Sequence, residues 1–405
     1  MKNHVQKEKI VILGGGYAGL QTALELHRKG YSAILIDKNS AHELLPELPH
    51  AISNRSLKTR IEFSKLIKNK SINLIQKEVI GFDLYKKEIK FVDQSIQEFD
   101  YLVIALGSNT NYFNIPGLRE NSHGFITTKQ VKEFNDLLES NFQKAKDFPV
   151  DSNEYKEFLS VIVGGGGLTG VEVAGELIHK MPKLAKQNGL NPDHVKIYLV
   201  EAQSGLLPGG DKKLSDKVTD FFHNQKLVES VLGVAVKEGF AGGVKLSDDR
   251  ILKSKIVLWT GGIRGNILLE KGMVDEEGKE NKWPLGRGFR IEVDEYFRVK
   301  GNPAVYAIGD NALYIDPKSG QPFPLNGQAA YKEGRAVAKY IVANIENREV
   351  PCEKIDLEGI MVSLGPLSGT GSVWKPLKLD LPVNMLSRVM KQLIELRYKL
   401  LNIRN

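Results

Sequence analysis

VILGGGYAGLQTALELHRKG, Val11 to Gly30, reads as an apolar strand, a glycine turn and a helix. Gly14, Gly16 and Gly19 hold the three spaced positions of a dinucleotide-binding turn. The first glycine permits the tight turn, the second lets the backbone approach a pyrophosphate, and the third lets helix and strand pack closely. The helix N-terminus then offers free N–H groups to phosphate oxygens. Asp37 ends the next apolar run, AILIDK, where the ribose of a bound dinucleotide needs an acceptor.

The pattern recurs. SVIVGGGGLTGVEVAGELIHKM, Ser160 to Met181, is again strand, turn and helix, with Gly165, Gly167 and Gly170 at the spaced positions. Glu201 closes the following strand, VKIYLVEAQ. Its carboxylate accepts from both ribose hydroxyls and repels a 2′-phosphate, and no arginine follows in EAQSG, so NAD(H) is expected over NADP(H). Two such units in one chain predict an α/β protein with two Rossmann-like dinucleotide-binding domains, the second inserted in the first. A small C-terminal domain follows, ending in an amphipathic helix. The expected segments are 1–120 and 266–345 for the first domain, 121–265 for the second and 346–405 for the C-terminal part.

Other stretches fit around these units. YLVIA (Tyr101–Ala105) suits a buried parallel strand and leads into a loop with Gly107; KIVLWTGGIRGN repeats that ending with Gly262. NPAVYAIGDNA ends in Gly309-Asp310, where an aspartate receives a hydroxyl of a ribityl chain and a following helix, from about Asn326 to Ile345, directs N–H groups toward a flavin. This places FAD in the first domain and leaves NADH for the second. EIKFVD alternates as an antiparallel strand does. Lys129–Ser140 reads as helix, 141–158 as a polar irregular connection, and Ile291–Phe297 as a short strand. In HELLPELPH, His42 and His50 read as polar loop residues, since no further ligands converge with them.

Composition narrows the chemistry. The 405 residues carry a formal charge of +7, a modest excess that suits acidic lipids or anionic cofactors and does not point to nucleic acid. The one cysteine, Cys352, supplies neither a disulfide nor a CxxC redox pair nor a thiolate metal site, and it fits a reducing compartment. The N-terminus lacks a cleavable signal pattern, and no apolar stretch is long enough to span a bilayer. Membrane contact would be peripheral. The tail NMLSRVMKQLIELRYKLLNIRN repeats apolar residues at helical spacing: Met385, Leu386, Val389, Met390, Leu393, Ile394, Leu400 and Leu401. Arg388, Lys391, Arg397, Lys399 and Arg404 are interleaved with them. Such a helix suits an anionic bilayer surface, or packs its stripe on the protein core or on a second subunit.

GGGYAG at 14–19, VIALGS at 103–108, GGGLTGVEVAGE at 165–176, VLWTGG at 257–262 and AVYAIGDN at 304–311 together resemble the two-dinucleotide-binding-domain flavoproteins, and within them the type II NADH:quinone oxidoreductases. The resemblance covers nearly the whole chain. It implies FAD and NADH as cofactors, a membrane quinone (menaquinone or ubiquinone) reduced without proton pumping, a homodimer, and a place on the cytoplasmic face of the cell membrane. It also implies that Glu172 lies near flavin and nicotinamide, that Gln328 serves the quinone, and that Lys375 is a lysine near the flavin. A second glutamine expected four residues after Gln328 is Lys332 here, which alters the quinone headgroup accepted or signals another acceptor. Disulfide reductases and sulfide:quinone oxidoreductases use cysteines that this chain lacks. The remaining alternatives are a reductase of a soluble electron carrier and a slow redox sensor holding FAD and NADH.

Overall fold

Ile10–Leu13, fully buried, form the central strand of a six-stranded sheet. The strand order is Arg298–Val299, Asn302–Ala307, Tyr101–Ile104, Ile10–Leu13, Ala33–Asp37, Ile72–Gln76. Every neighbour is parallel except the outermost pair. A strand buried on both faces must be apolar throughout, which is why these runs do not alternate. The second glycine motif builds a four-stranded parallel sheet in the order Val228–Leu232, Lys196–Glu201, Ser160–Gly164, Val257–Trp259. The computed structural model describes residues 8–150, 152–275, 277–317, 319–374 and 378–403, with side chains through residue 399.

The chain divides into two compact units. The first holds the segments up to Glu43, Arg60–Asn109 and Ile263–Leu357; the second holds Leu44–Thr59, Thr110–Gly262 and the chain from Glu358 onward. The expected C-terminal segment 346–405 is therefore shared. Its early part joins the first unit, where Lys332 Nζ donates to the Asp356 carbonyl at 2.7 Å. Its strands Gly359–Ser363, Gly369–Val373 and Leu379–Asn384 form a sheet of the second unit, on which the C-terminal helix Met385–Ile403 packs.

Two sequence readings need correction. The stretch 141–158 is not irregular: the helix Thr128–Lys144 runs into it, and Asn153–Phe158 forms another helix, capped by Ser152 Oγ accepting from the Tyr155 N–H at 3.1 Å. The strand expected over Ile291–Phe297 stops at Glu292. There the Asp294 carboxylate takes the N–H groups of Tyr296 and Arg298, and Phe297 turns through a φ of 62°.

In the first unit, the helix Tyr17–Arg28 packs on the helix Gly327–Ile345 at a glycine. A Cβ at Gly334 would stand 2.3 Å from the Ala18 carbonyl oxygen, a backbone atom that cannot step aside. Gly334→Val is expected to destabilise the protein by about 3 kcal/mol. Urea denaturation reads this as a lower midpoint, and an unchanged midpoint would contradict the packing described.

Candidate functional site

The two glycine turns are built alike. Gly14 (φ 96°) and Gly165 (φ 105°) adopt a backbone that disfavours side chains, and their N–H groups donate to Ile36 O at 2.7 Å and Val200 O at 2.8 Å in the neighbouring strand. A Cβ at Gly19 or Gly170 would lie 1.9 or 1.8 Å from the carbonyl oxygen of Gly14 or Gly165, so helix and turn touch there. Gly16 and Gly167, in contrast, have nothing within 4 Å of where a Cβ would stand. Each is the extended N-cap of its helix with no side-chain cap, which leaves first-turn N–H groups for a ligand. That space and those donors suit a pyrophosphate at both turns.

The two acids also match. Asp37 accepts from Gly15 N at 2.7 Å and Asn39 N at 2.8 Å. Glu201 accepts from Gly166 N at 2.7 Å and Gln203 N at 2.8 Å. Each carboxylate is thus oriented by its own turn, with further lone pairs for a ribose hydroxyl. His42, expected in a loop, is instead buried in the strand Ala41–Glu43, with Nδ1 2.8 Å from the Gly15 carbonyl oxygen. It braces the first glycine turn. Burial pulls its pKa from 6.5 to about 4, against the opposing bond to Gly15.

The remaining first-unit residues gather around Gly309-Asp310. Gly107 (φ 67°) donates its N–H to Asn311 Oδ1 at 3.1 Å, and Ser108 Oγ donates to Asp310 Oδ2 at 3.1 Å. Burial raises the Asp310 pKa, against the Ser108 bond and the Arg290 charge. Glu333 accepts the Gly309 N–H at 2.6 Å, and burial pushes its carboxyl up to about 7. Gln328 stands in the first turn of the helix Gly327–Ile345, whose N-cap Asn326 accepts from Ala329 N at 2.9 Å; Lys332 follows one turn later, held on the Asp356 carbonyl. Sequence reasoning missed Arg290 and Glu333. An acid on the helix after a Gly-Asp turn is the signal that flags Glu333.

In the second unit, Gly262 accepts the Asn111 N–H at 2.9 Å and lies against the Phe113 ring. Glu172 and Glu176, one turn apart on the helix Leu168–Gln187, are both buried. Two buried carboxylates on one face require cations. Lys391 of the C-terminal helix forms a close ion pair with Glu172, which also accepts the Ser363 N–H at 3.0 Å. His50 Nδ1 lies 2.9 Å from Glu176 Oε1, so His50 is a buried partner and not a polar loop residue. Lys375 lies outside the described residues; the lysine that the structure brings to Glu172 is Lys391. Among the described residues no group of histidine, cysteine, aspartate and glutamate side chains could hold a metal ion.

This pairing fixes how the C-terminal helix faces. Arg388 and Lys391 are 4% and 7% exposed, whereas Met385, Leu386 and Leu393 are 61%, 68% and 58% exposed. The helix turns its polar side inward and its apolar stripe outward, so the stripe is not packed on the core of this chain. Of the five cations interleaved in the tail, Arg388 and Lys391 are buried, Lys399 pairs closely with Glu47, Arg397 is exposed, and Arg404 lies outside the described residues. Among the described residues no helix is long and apolar enough to cross a membrane.

The His42 brace has a pH signature. It is neutral in the folded protein down to about 4, while the unfolded chain takes up a proton below 6.5. Its contribution is therefore complete above that value and lost as pH falls toward 4. Between about pH 7 and about pH 5 the loss is about 2 kcal/mol of unfolding free energy. Urea titrations should show this slope in the natural chain and a flatter one in His42→Gln; equal slopes would contradict the assignment.

A family model described as pyridine nucleotide-disulphide oxidoreductase matches residues 8–334. The type II NADH:quinone oxidoreductase of Staphylococcus saprophyticus is 29% identical over 382 residues, covering 91% of this chain and 90% of its own length. The Staphylococcus aureus (strain NCTC 8325) protein of that name is 29% identical over 384 residues, covering 92% and 91%. Among solved structures, NDH2 from Plasmodium falciparum in complex with NADH superposes with a TM-score of 0.83 at 19% identity, covering 97% of this chain and 95% of that one. The sulfide:quinone oxidoreductase of Aquifex aeolicus gives 0.76 at 19% identity, covering 98% and 92%. At these identities the two structures speak for the fold. With two matched dinucleotide turns and a family model spanning most of its length, the chain belongs to the pyridine nucleotide-disulphide oxidoreductase family.

Proposed function

We propose that this chain is an FAD-dependent oxidoreductase that takes a hydride from NADH and passes two electrons to a membrane quinone, menaquinone or ubiquinone, without pumping protons. The observation that carries this reading is the pair of matched dinucleotide cradles in a chain with one cysteine. Cys352 is an exposed lone thiol, so electrons do not leave through a dithiol as the family's name suggests. The type II NADH:quinone oxidoreductases similar to this chain over nine-tenths of its length supply the matching activity.

The residues divide the work. In the first unit Gly14, Gly16 and Gly19 cradle the FAD pyrophosphate, Asp37 takes the adenosine ribose, and Gly107, Gly309 and Asp310 face the ribityl chain. In the second, Gly165, Gly167, Gly170 and Gly262 receive NADH, and Glu201 takes its ribose and rejects a 2′-phosphate. Bound FAD supplies the hydride acceptor and the electron pair for the quinone; the protein supplies orientation, charge and exclusion of water. Glu172, paired with Lys391, orients the nicotinamide or handles protons for the quinol, and Gln328 donates to a quinone carbonyl. Lys375 remains a candidate of the same kind. Lys332, at the position where a second glutamine is expected, donates to a backbone carbonyl and so stiffens this wall of the site.

The outward apolar stripe of the C-terminal helix supports a peripheral seat on an anionic lipid surface, on the cytoplasmic face of the cell membrane. The homodimer implied by the family resemblance would have to leave that stripe open. A reductase of a soluble carrier would use the stripe for its protein partner instead.

Stopped-flow spectroscopy of the FAD-loaded protein tests the reading. NADH should bleach the flavin, NADPH should do so about tenfold more slowly (~1.4 kcal/mol), and a soluble menaquinone analogue should restore the flavin absorbance faster than dioxygen alone. Failure of NADH to bleach it would overturn the dehydrogenase reading. Bleaching without quinone-accelerated recovery would leave a reductase of another carrier.

A further inference from the structure

Reducing a quinone with NADH obeys NADH + H⁺ + Q → NAD⁺ + QH₂. The hydride carries two electrons and one proton, so the second proton must come from solvent through the protein. The inference that follows rests on the quinone reading above. We propose that His50 and Glu395 form a proton relay that feeds the Glu172–Lys391 pair.

The geometry is a continuous line of buried ionisable groups in the second unit. His50 Nδ1 stands 2.9 Å from Glu176 Oε1, and His50 Nε2 is 3.7 Å from Glu395 Oε1. Glu395 Oε1 is 3.6 Å from Lys391 Nζ, and Lys391 Nζ closes on Glu172 Oε1. The side chains are between 2% and 11% exposed, so no stage of this line is diluted by bulk water. Three segments far apart in sequence contribute: the turn His50–Ser53, the helix Leu168–Gln187 and the C-terminal helix.

The middle of the line separates a relay from a static brace. His50 Nε2 and Glu395 Oε1 are both buried and make no hydrogen bond, although they face each other. A small rotation closes that gap and reopens it, and relays advance by making and breaking such contacts. A brace would have its donors and acceptors already engaged. Arg388, on the same side of the helix, keeps Nε and Nη1 buried without a partner and adds a positive field at Glu395.

The charges suit this traffic. Burial lowers the His50 pKa, but the hydrogen bond to Glu176, the facing Glu395 carboxylate and the charge of Glu172 outweigh it and the opposing Lys391, and the net direction is upward. Burial raises the Glu395 pKa, yet His50, Lys391 and Arg388 carry it below the ordinary range. His50 is thus biased toward its protonated form beside a carboxylate biased toward its ionised form. In one turnover Lys391 first gives its proton by way of Glu172 to the reduced substrate oxygen, and only then takes one from Glu395, which has received it from His50 Nε2. His50 is then reloaded from solvent. The sum is one proton moved, with every group returned to its starting state.

His50 is loaded below its raised pKa and unloaded as pH climbs through it, so proton delivery fails on the alkaline side. The test uses the full-length FAD-loaded protein, pre-reduced by NADH and mixed with a soluble menaquinone analogue from about pH 6 to about pH 9. In the natural chain reoxidation should slow as pH rises. His50→Gln and Glu395→Gln should each slow it about tenfold or more at the acid end and flatten the profile, while the rate of flavin reduction by NADH stays as it was. Imidazole should restore part of the rate to His50→Ala. Natural rates and profile in both glutamine variants would overturn the relay and leave the quinone reading intact. So would a uniform loss with an unchanged profile, which marks a brace. If the natural chain itself were not reoxidised by quinone, the failure would lie with the reading on which the relay rests. Flavin content and melting midpoint identify a variant that has not folded, and Glu395→Gln, which keeps shape and removes the charge, then decides alone.

Discussion

A buried carboxylate must be neutralised, and Glu172 is neutralised by a lysine 219 positions later. That constraint orders much of the second unit. It seats the C-terminal helix with Arg388 and Lys391 inward. Met385, Leu386, Leu393 and Ile394 are consequently left outward, in contact with solvent. The helix is an inversion of the usual surface helix, whose apolar face meets the core. Removing one partner of such a pair leaves an uncompensated charge in the interior, which costs about 3 kcal/mol or more. The seat of the helix and the pairing of Glu172 are therefore one feature.

The glycine turns impose a second constraint, and it appears twice. In each unit a glycine carbonyl is touched by the helix that follows, while a neighbouring N-cap glycine faces open space. One position excludes a side chain because the protein fills it. The other faces open space, which suits a phosphate. The acids Asp37 and Glu201 are held by the turns they serve, so the nucleotide would meet preset acceptors.

The difference between what was legible in the sequence and what was not is one of range. Gly14 to Asp37 and Gly165 to Glu201 are local patterns whose meaning follows from strand, turn and helix alone, and the structure reproduces them in register. His42 and His50 look like loop residues in the sequence because their partners, the Gly15 carbonyl and Glu176, lie 27 and 126 positions away. Periodicity found the C-terminal stripe but not its direction, since a repeat of apolar residues is the same whichever way the helix faces. One clue was present: Glu172 and Glu176 sit one turn apart in an apolar helix, which demands cations, and Lys391 with Glu395 offers the only acid of the basic tail as its marker. Lys375, which the resemblance places near the flavin, lies outside the described residues, and the lysine that meets Glu172 is Lys391.

The C-terminal helix holds its polar side on the protein, and the proposed function gives its apolar side to a lipid surface. Nitroxide labels measure this most directly. In a Cys352→Ser background, labels at Leu386→Cys and Leu393→Cys can be compared with a label at the exposed Asp248→Cys, in solution and on vesicles containing anionic lipid. With vesicles, the two helix labels should gain accessibility to dioxygen and lose it to a water-soluble nickel complex, while the label at 248 stays aqueous. Helix labels that remain open to the nickel complex on vesicles, or that are already immobilised and shielded in solution, would contradict the account.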